Sequence, residues 1–185
     1  MLKKLPSILR VFCSLILVVL LTACGGGASA GLNSFESPDG RYSFFYPVGW
    51  TRVSVSGGPQ VVFHDLINSD ETLSLVVSKV EDDIALEELG SADIVGKRLI
   101  NEVIAPEGTG RNVELVEANS RETGGKTFYD LEYSVRLEDR DRHELATVAI
   151  NRGYLYTLAA STNESRWPKV QEMFKHVIHS FSFLT

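Results

Sequence analysis

Apolar positions along this chain fall into three patterns, and each predicts a different element. The first is a continuous run, Val11–Leu21 (VFCSLILVVLL), eleven residues long. The second is alternation with a period of two, the mark of a half-buried strand. Phe35–Ser37 and Tyr42–Tyr46 flank Pro38-Asp39-Gly40, a hairpin signal. Trp50–Val55 alternates until Gly57-Gly58-Pro59 breaks it, and Val61–Leu66 and Thr72–Val80 follow, joined by the polar turn Asn68-Ser69-Asp70. Val113–Glu122 meets Lys126–Leu137 through Gly124-Gly125, with Tyr129, Leu131, Tyr133, Val135 and Leu137 on one face. His143–Ile150 then pairs with Tyr154–Ala160 across Asn151-Arg152-Gly153.

The third pattern is helical spacing. Ile94, Val95, Leu99 and Val103 recur within Ser91–Ala105. Ser91 is the N-cap, Asp93 sits in the first turn, and Pro106, Gly108 and Gly110 stop the helix. Glu81–Glu88, with five acids and no base, caps the sheet and leads into it. Val170, Met173, Phe174, Val177, Ile178 and Phe181 form the stripe of a closing amphipathic helix, with Pro168 in its first turn. The order is strands, helix, strands, helix. The connections are too short for parallel crossovers, so the sheet is antiparallel. The expected fold class is α+β, an αβα sandwich with helices flanking an antiparallel sheet.

The apolar run at the start is not part of that domain. Lys3, Lys4 and Arg10 precede it and small residues follow, the plan of a secretory signal peptide. The run falls short of the ~20 residues that span a bilayer. Leu21-Thr22-Ala23-Cys24 resembles the lipobox of bacterial lipoproteins, in which the cysteine is acylated and becomes the first residue. The chain therefore divides into a signal peptide (1–23), a flexible tether carrying lipidated Cys24 (24–34) and one folded domain (35–185). Cys13 leaves with the signal, so the mature chain has no free thiol. Several acyl chains on one cysteine supply the double anchoring that stable attachment needs.

Charge narrows the function. The formal net charge is −6, from 18 bases and 24 acids. Losing Lys3, Lys4 and Arg10 leaves 15 bases against the same 24 acids, a mature charge of about −9. Such a chain lacks the basic footprint of a nucleic-acid binder, and lipid rather than charge must hold it at a membrane. Gly-x-Ser-x-Gly, Walker-type and His-Glu-x-x-His motifs are absent, and without a thiol cysteine catalysis is excluded. The expectation is that the protein is not an enzyme.

Two places could hold a metal. His176 and His179 are three residues apart on the closing helix and would need a third ligand to bind zinc. His143 stands at a strand start beside Asp139, Asp141 and Glu144, and imidazole among carboxylates suits a divalent ion. Arg136, Arg140, Arg142 and Arg152 cluster around the meander's turns, and arginines are enriched at protein interfaces.

Three segments in order carry a family resemblance. Phe35-x-Ser-Pro-Asp-Gly-Arg-Tyr-Ser-Phe-x-Tyr-Pro-x-Gly-Trp50 comes first, then Arg142-His-Glu-Leu-Ala-Thr-Val-Ala-Ile-Asn-Arg-Gly-Tyr-Leu-Tyr156. Ser165-Arg-Trp167 with the closing helix and Ser180-Phe-Ser-Phe183 completes the set. Together they resemble the PsbP family, extrinsic lumenal proteins of photosystem II. The resemblance implies a PsbP/Mog1-like αβα sandwich and no catalysis. It also implies a place on the lumenal side of the thylakoid membrane and contact with photosystem II core subunits. With a lipobox, the chain is similar to the lipoprotein branch, for which the implied role is assistance in assembly and in stability of the oxygen-evolving complex. Plant members govern calcium and chloride retention through a basic N-terminal extension; here the tether is short and uncharged. Calcium-ion binding is a further property the resemblance implies. So is a divalent-metal pair, zinc or manganese, at the positions of His143 and Glu164. No cofactor is required. A general periplasmic lipoprotein with another client is the alternative reading, and a hydrolase using an unrecognised serine or a metal site, suggested by His143 and its carboxylate neighbours, is a third.

Overall fold

The computed structural model describes residues 31–80 and 84–184. The expected signal peptide, Cys24, most of the expected tether, Glu81–Asp83 and Thr185 lie outside the described residues. Ten strands and two α-helices form the domain: β1 (Leu32–Glu36), β2 (Tyr42–Pro47), β3 (Trp50–Val53), β4 (Val61–Asp65), β5 (Thr72–Lys79), α1 (Ala92–Leu99), β6 (Asn112–Thr123), β7 (Lys126–Arg136), β8 (Asp141–Asn151), β9 (Tyr154–Asn163), α2 (Trp167–His179) and β10 (Ser182–Phe183). No helix among the described residues is long and apolar enough to cross a membrane.

All strand pairings are antiparallel, as the short connections require. They form two sheets rather than one. Seven strands run in the order β3-β4-β5-β9-β8-β7-β6, and β1-β2-β10 make a separate three-stranded sheet. The second sheet is the local β1–β2 hairpin, completed by a third strand where the chain's two ends meet. Ser182 pairs with Ser43 and Phe183 with Tyr42. The Phe45 N–H donates to Ser180 Oγ at 2.7 Å, and the Leu184 N–H to the Arg41 carbonyl at 2.9 Å.

Side chains alternate across the large sheet, so each face carries its own core. One core gathers Phe44, Trp50, Phe63, Leu75, Tyr156, Phe174 and Phe181 between the sheet and a layer made of α2 and the small sheet. The other gathers Val95, Leu99, Tyr129, Leu131, Tyr133 and Val148 beneath α1. The expected sandwich is present, with one outer layer part helix and part sheet.

Three expectations need correction. The tether was expected to run to Ser34, yet Leu32–Ser34 already pair with β2, because Leu32 packs against the first core. Ile94 and Val103 were expected on the buried stripe of the first helix, but both are about half exposed, at 49% and 54%. A π-type turn, Ile100–Ile104, follows α1 and shifts the phase by one residue. Ile100 and Ile104 therefore turn toward the core in place of Val103. Finally, Arg152 does not join Arg136, Arg140 and Arg142. It sits in the β8–β9 turn with φ of 51°, at the far end of β8 from Arg142.

Candidate functional site

His143 is the third residue of β8, and strand parity turns it toward the α2 side, where it is buried. Its neighbour across the sheet on β9 is Thr162; Ser134 is opposite on β7, with Glu132 one step along the same face. β9 ends in a 3-10 turn, Glu164–Arg166, and Trp167 then opens α2. This short spacing brings Glu164 to the edge of the imidazole and Trp167 to its face. The Trp167 and His143 rings stack at 4.0 Å with an 11° tilt.

Both ring nitrogens meet carboxylates. Nδ1 is 2.9 Å from Glu164 Oε2, and Nε2 is 2.8 Å from Glu132 Oε1. With both carboxylates ionised, both contacts can be hydrogen bonds only when the ring carries two protons, since a neutral imidazole donates from one nitrogen alone. The two carboxylates differ in access. Glu132 is 15% exposed and Glu164 45%. The pair named from sequence is thus assembled, and Glu132 is the partner that sequence reasoning missed. Its signal was the β7–β8 register, which places it beside His143 once Ser134 is set opposite that histidine. The three residues do not converge on one point, because the ring separates the carboxylates. Among the described residues no group of three or more His, Cys, Asp or Glu is placed to hold a metal ion.

A second polar cluster adjoins the first. Glu71, at the foot of β5, is buried and takes hydrogen bonds from Arg166 Nε and, at 3.3 Å, from Thr162 Oγ1. The Glu71 carboxylate holds the Arg166 guanidinium pKa above its usual range. Asp70 is held by Asn163 Nδ2 at 3.1 Å, and its carbonyl by Arg142 Nη2 at 2.7 Å. Burial lowers the Arg142 pKa, and the Asp70 carboxylate offsets this only in part. Arg140 reaches Asp70 at 3.5 Å. The arginines of this end of the meander are therefore spent on bracing.

The other expected site residues do not contact His143, although His179 lines a surface pocket with Glu132. His176 and His179 both face solvent on α2. His179 Nε2 is 3.2 Å from Asp130 Oδ2, which also accepts from Arg121 Nε at 2.7 Å.

Comparison with known proteins adds the following. The PsbP family model matches residues 30–183. CyanoP of Thermosynechococcus vestitus is 44% identical over 172 residues, covering 90% of this chain and 93% of that protein. CyanoP of Synechocystis sp. is 42% identical over 185 residues, covering 98% of each. The solution structure of the cyanobacterial PsbP protein CyanoP from Synechocystis sp. superposes with a TM-score of 0.73 at 41% identity, covering 87% of this chain and 97% of that one.

Proposed function

The chain belongs to the PsbP family, and from that premise we propose that it is a non-catalytic extrinsic protein of photosystem II. In this reading acyl chains on Cys24 hold it on the lumenal side of the thylakoid membrane, where it assists assembly of the complex and stability of the oxygen-evolving complex. The observation that carries the reading is similarity to CyanoP along the whole length of both chains. An acidic body supports the anchor, since charge alone would not adsorb it to anionic lipid.

The His143–Glu164 pair belongs to the same proposal as a site for zinc or manganese. The donor chemistry fits. Nδ1 and Oε2 are close enough to share one ion, and the exposed side of Glu164 leaves room for water ligands. Glu132 would then accept the Nε2–H and fix the tautomer that leaves Nδ1 free, the usual task of a carboxylate behind a metal-bound histidine. A bound ion would supply positive charge tying the Glu164–Arg166 turn to β8.

Affinity capture of the tagged full chain from gently solubilised thylakoids tests the reading. Photosystem II core subunits are the expected catch. Their absence, under conditions that preserve assembly intermediates, would reject it. Fractionation with the plasma or outer membrane would favour a lipoprotein with another client.

A further inference from the structure

The β4–β5 hairpin ends in two aliphatic side chains that face water: Leu66 is 66% exposed and Ile67 90%. Exposed aliphatic groups on a pliable loop would fold back against the body. This loop is not pliable. Asp65 Oδ1 accepts from the Ile67 N–H at 2.9 Å, and Asp65 Oδ2 from Asn68 Nδ2 at 2.7 Å. The Glu71 N–H donates to the Asn68 carbonyl at 2.8 Å, closing the loop. Its foot, Asp70-Glu71, is held by Arg142, Asn163, Arg166 and Thr162, the bracing described above. The pairing of Trp50 with Asp65 brings the β2–β3 turn to the same end of the sheet, and there Val48 is 60% exposed.

We propose that Leu66 and Ile67 form a rigid anchor that inserts into an apolar pocket, rimmed by basic groups, on a protein partner, with Val48 at the edge of the contact. The proposal rests on the photosystem II reading for the partner's identity. A few well-packed side chains carry most of the strength of such contacts, and an anchor already held in shape loses little freedom on binding.

Charge selects a protein over the alternatives. Asp65 sits at the base of the anchor, and its hydrogen bond from Asn68, with a second from the Ile67 N–H, holds its carboxyl below the usual range. Arg140 and Arg142 at this end already face Asp70. A bilayer-inserting tip would need bases to meet lipid headgroups, and this tip offers an anion. A symmetric contact between two copies would set Asp65 against Asp65.

Two measurements on the full acylated chain test this. Binding to purified photosystem II cores is compared for the wild type, Leu66→Ser/Ile67→Ser and, as control, Val116→Ser, another half-exposed residue on β6. With thermal midpoints unchanged, the double variant is expected to bind at least ~30-fold more weakly and the control within about twofold. Ile67→Cys then supplies a single free thiol for a polarity-sensitive dye, because in the proposed lipoprotein Cys24 is acylated and Cys13 is removed with the signal. A blue shift is expected only when cores are added. Wild-type binding that survives in the double variant overturns the anchor alone. Absence of wild-type binding overturns the photosystem II reading and the anchor with it. A blue shift in phosphatidylcholine–phosphatidylglycerol vesicles without cores, or one that grows with protein concentration alone, assigns the tip to lipid or to a second copy and overturns the proposal.

Discussion

A histidine buried in a sheet needs both ring nitrogens satisfied, and His143 meets that demand with one carboxylate in the interior and one at the surface. That asymmetry sets what each residue would do in the proposed metal site. Glu164→Ala, half exposed and outside the core, should leave the fold intact and abolish measurable Zn²⁺ binding by calorimetry. His143→Ala should do the same at a cost in stability. Glu132→Gln should weaken binding by roughly 10- to 100-fold, the usual effect of losing the carboxylate behind a liganding histidine. Manganese and calcium titrated in parallel would rank the ions. Zn²⁺ affinity unchanged in Glu164→Ala would remove the site. His143 and Glu164 were legible in the sequence through the residues around them, Arg142-His143 and Ser165-Arg166-Trp167. Glu132 was not, because it enters from a neighbouring strand. One of the two carboxylates on β7 becomes special only when cross-strand register is known. Glu71 was hidden for the same reason: nothing local marks a glutamate after a polar turn as buried.

Helix α1 shows how an element's face is chosen by its closest contact. Gly96, not a large residue, lies nearest the sheet. A Cβ built there would meet both Leu115 methyls at 3.0 Å and a Leu131 methyl at 3.3 Å. Gly96→Ala gains about 1 kcal/mol of helix propensity and crowds the movable ends of two leucines, so stability should change by less than about 1 kcal/mol. Gly96→Val adds two more methyl groups at the contact and should cost about 2 kcal/mol in urea unfolding. A neutral valine would mean that α1 is not seated on its glycine. Strands were easier to read than this helix. Alternation and turn residues located β6 to β9 within a few positions, and Gly124-Gly125, both at positive φ, closed the β6–β7 hairpin as expected. Alternation does not name a strand's partner, however. The third strand of the small sheet depends on Ser182-Phe183 reaching β2, a pairing between the chain's ends that no local pattern contains.

At the scale of the molecule, the sheet separates two cores, and each holds tyrosines whose ionisation the fold resists. Tyr42 and Tyr156 lie in the core beneath α2 and the small sheet, Tyr129 and Tyr133 in the core beneath α1. Burial, first among the causes, raises the pKa of all four phenols. Tyr133 is the most protected: it is fully buried, its hydroxyl donates to the Gly96 carbonyl at 3.3 Å, and the nearby Glu144 charge adds to the effect. An unfolded tyrosine ionises near pH ~10. Above that value the native state holds protons that the unfolded chain has lost, so stability is fully present below pH ~10 and declines as pH rises. A fully protected phenol contributes about 1.4 kcal/mol of loss per pH unit, and the other three act in the same direction, partly screened by water. Tyr133→Phe separates the contributions. At pH 7 it loses one long hydrogen bond and should be less stable than wild type by about 0.5–1 kcal/mol. At pH 11 the wild type has lost Tyr133's share and the variant has not, so the two urea midpoints should meet or cross. Parallel curves at every pH would show that the phenol ionises as readily in the fold as outside it. That result would mean water reaches the centre of the second core and the sheet does not seal it.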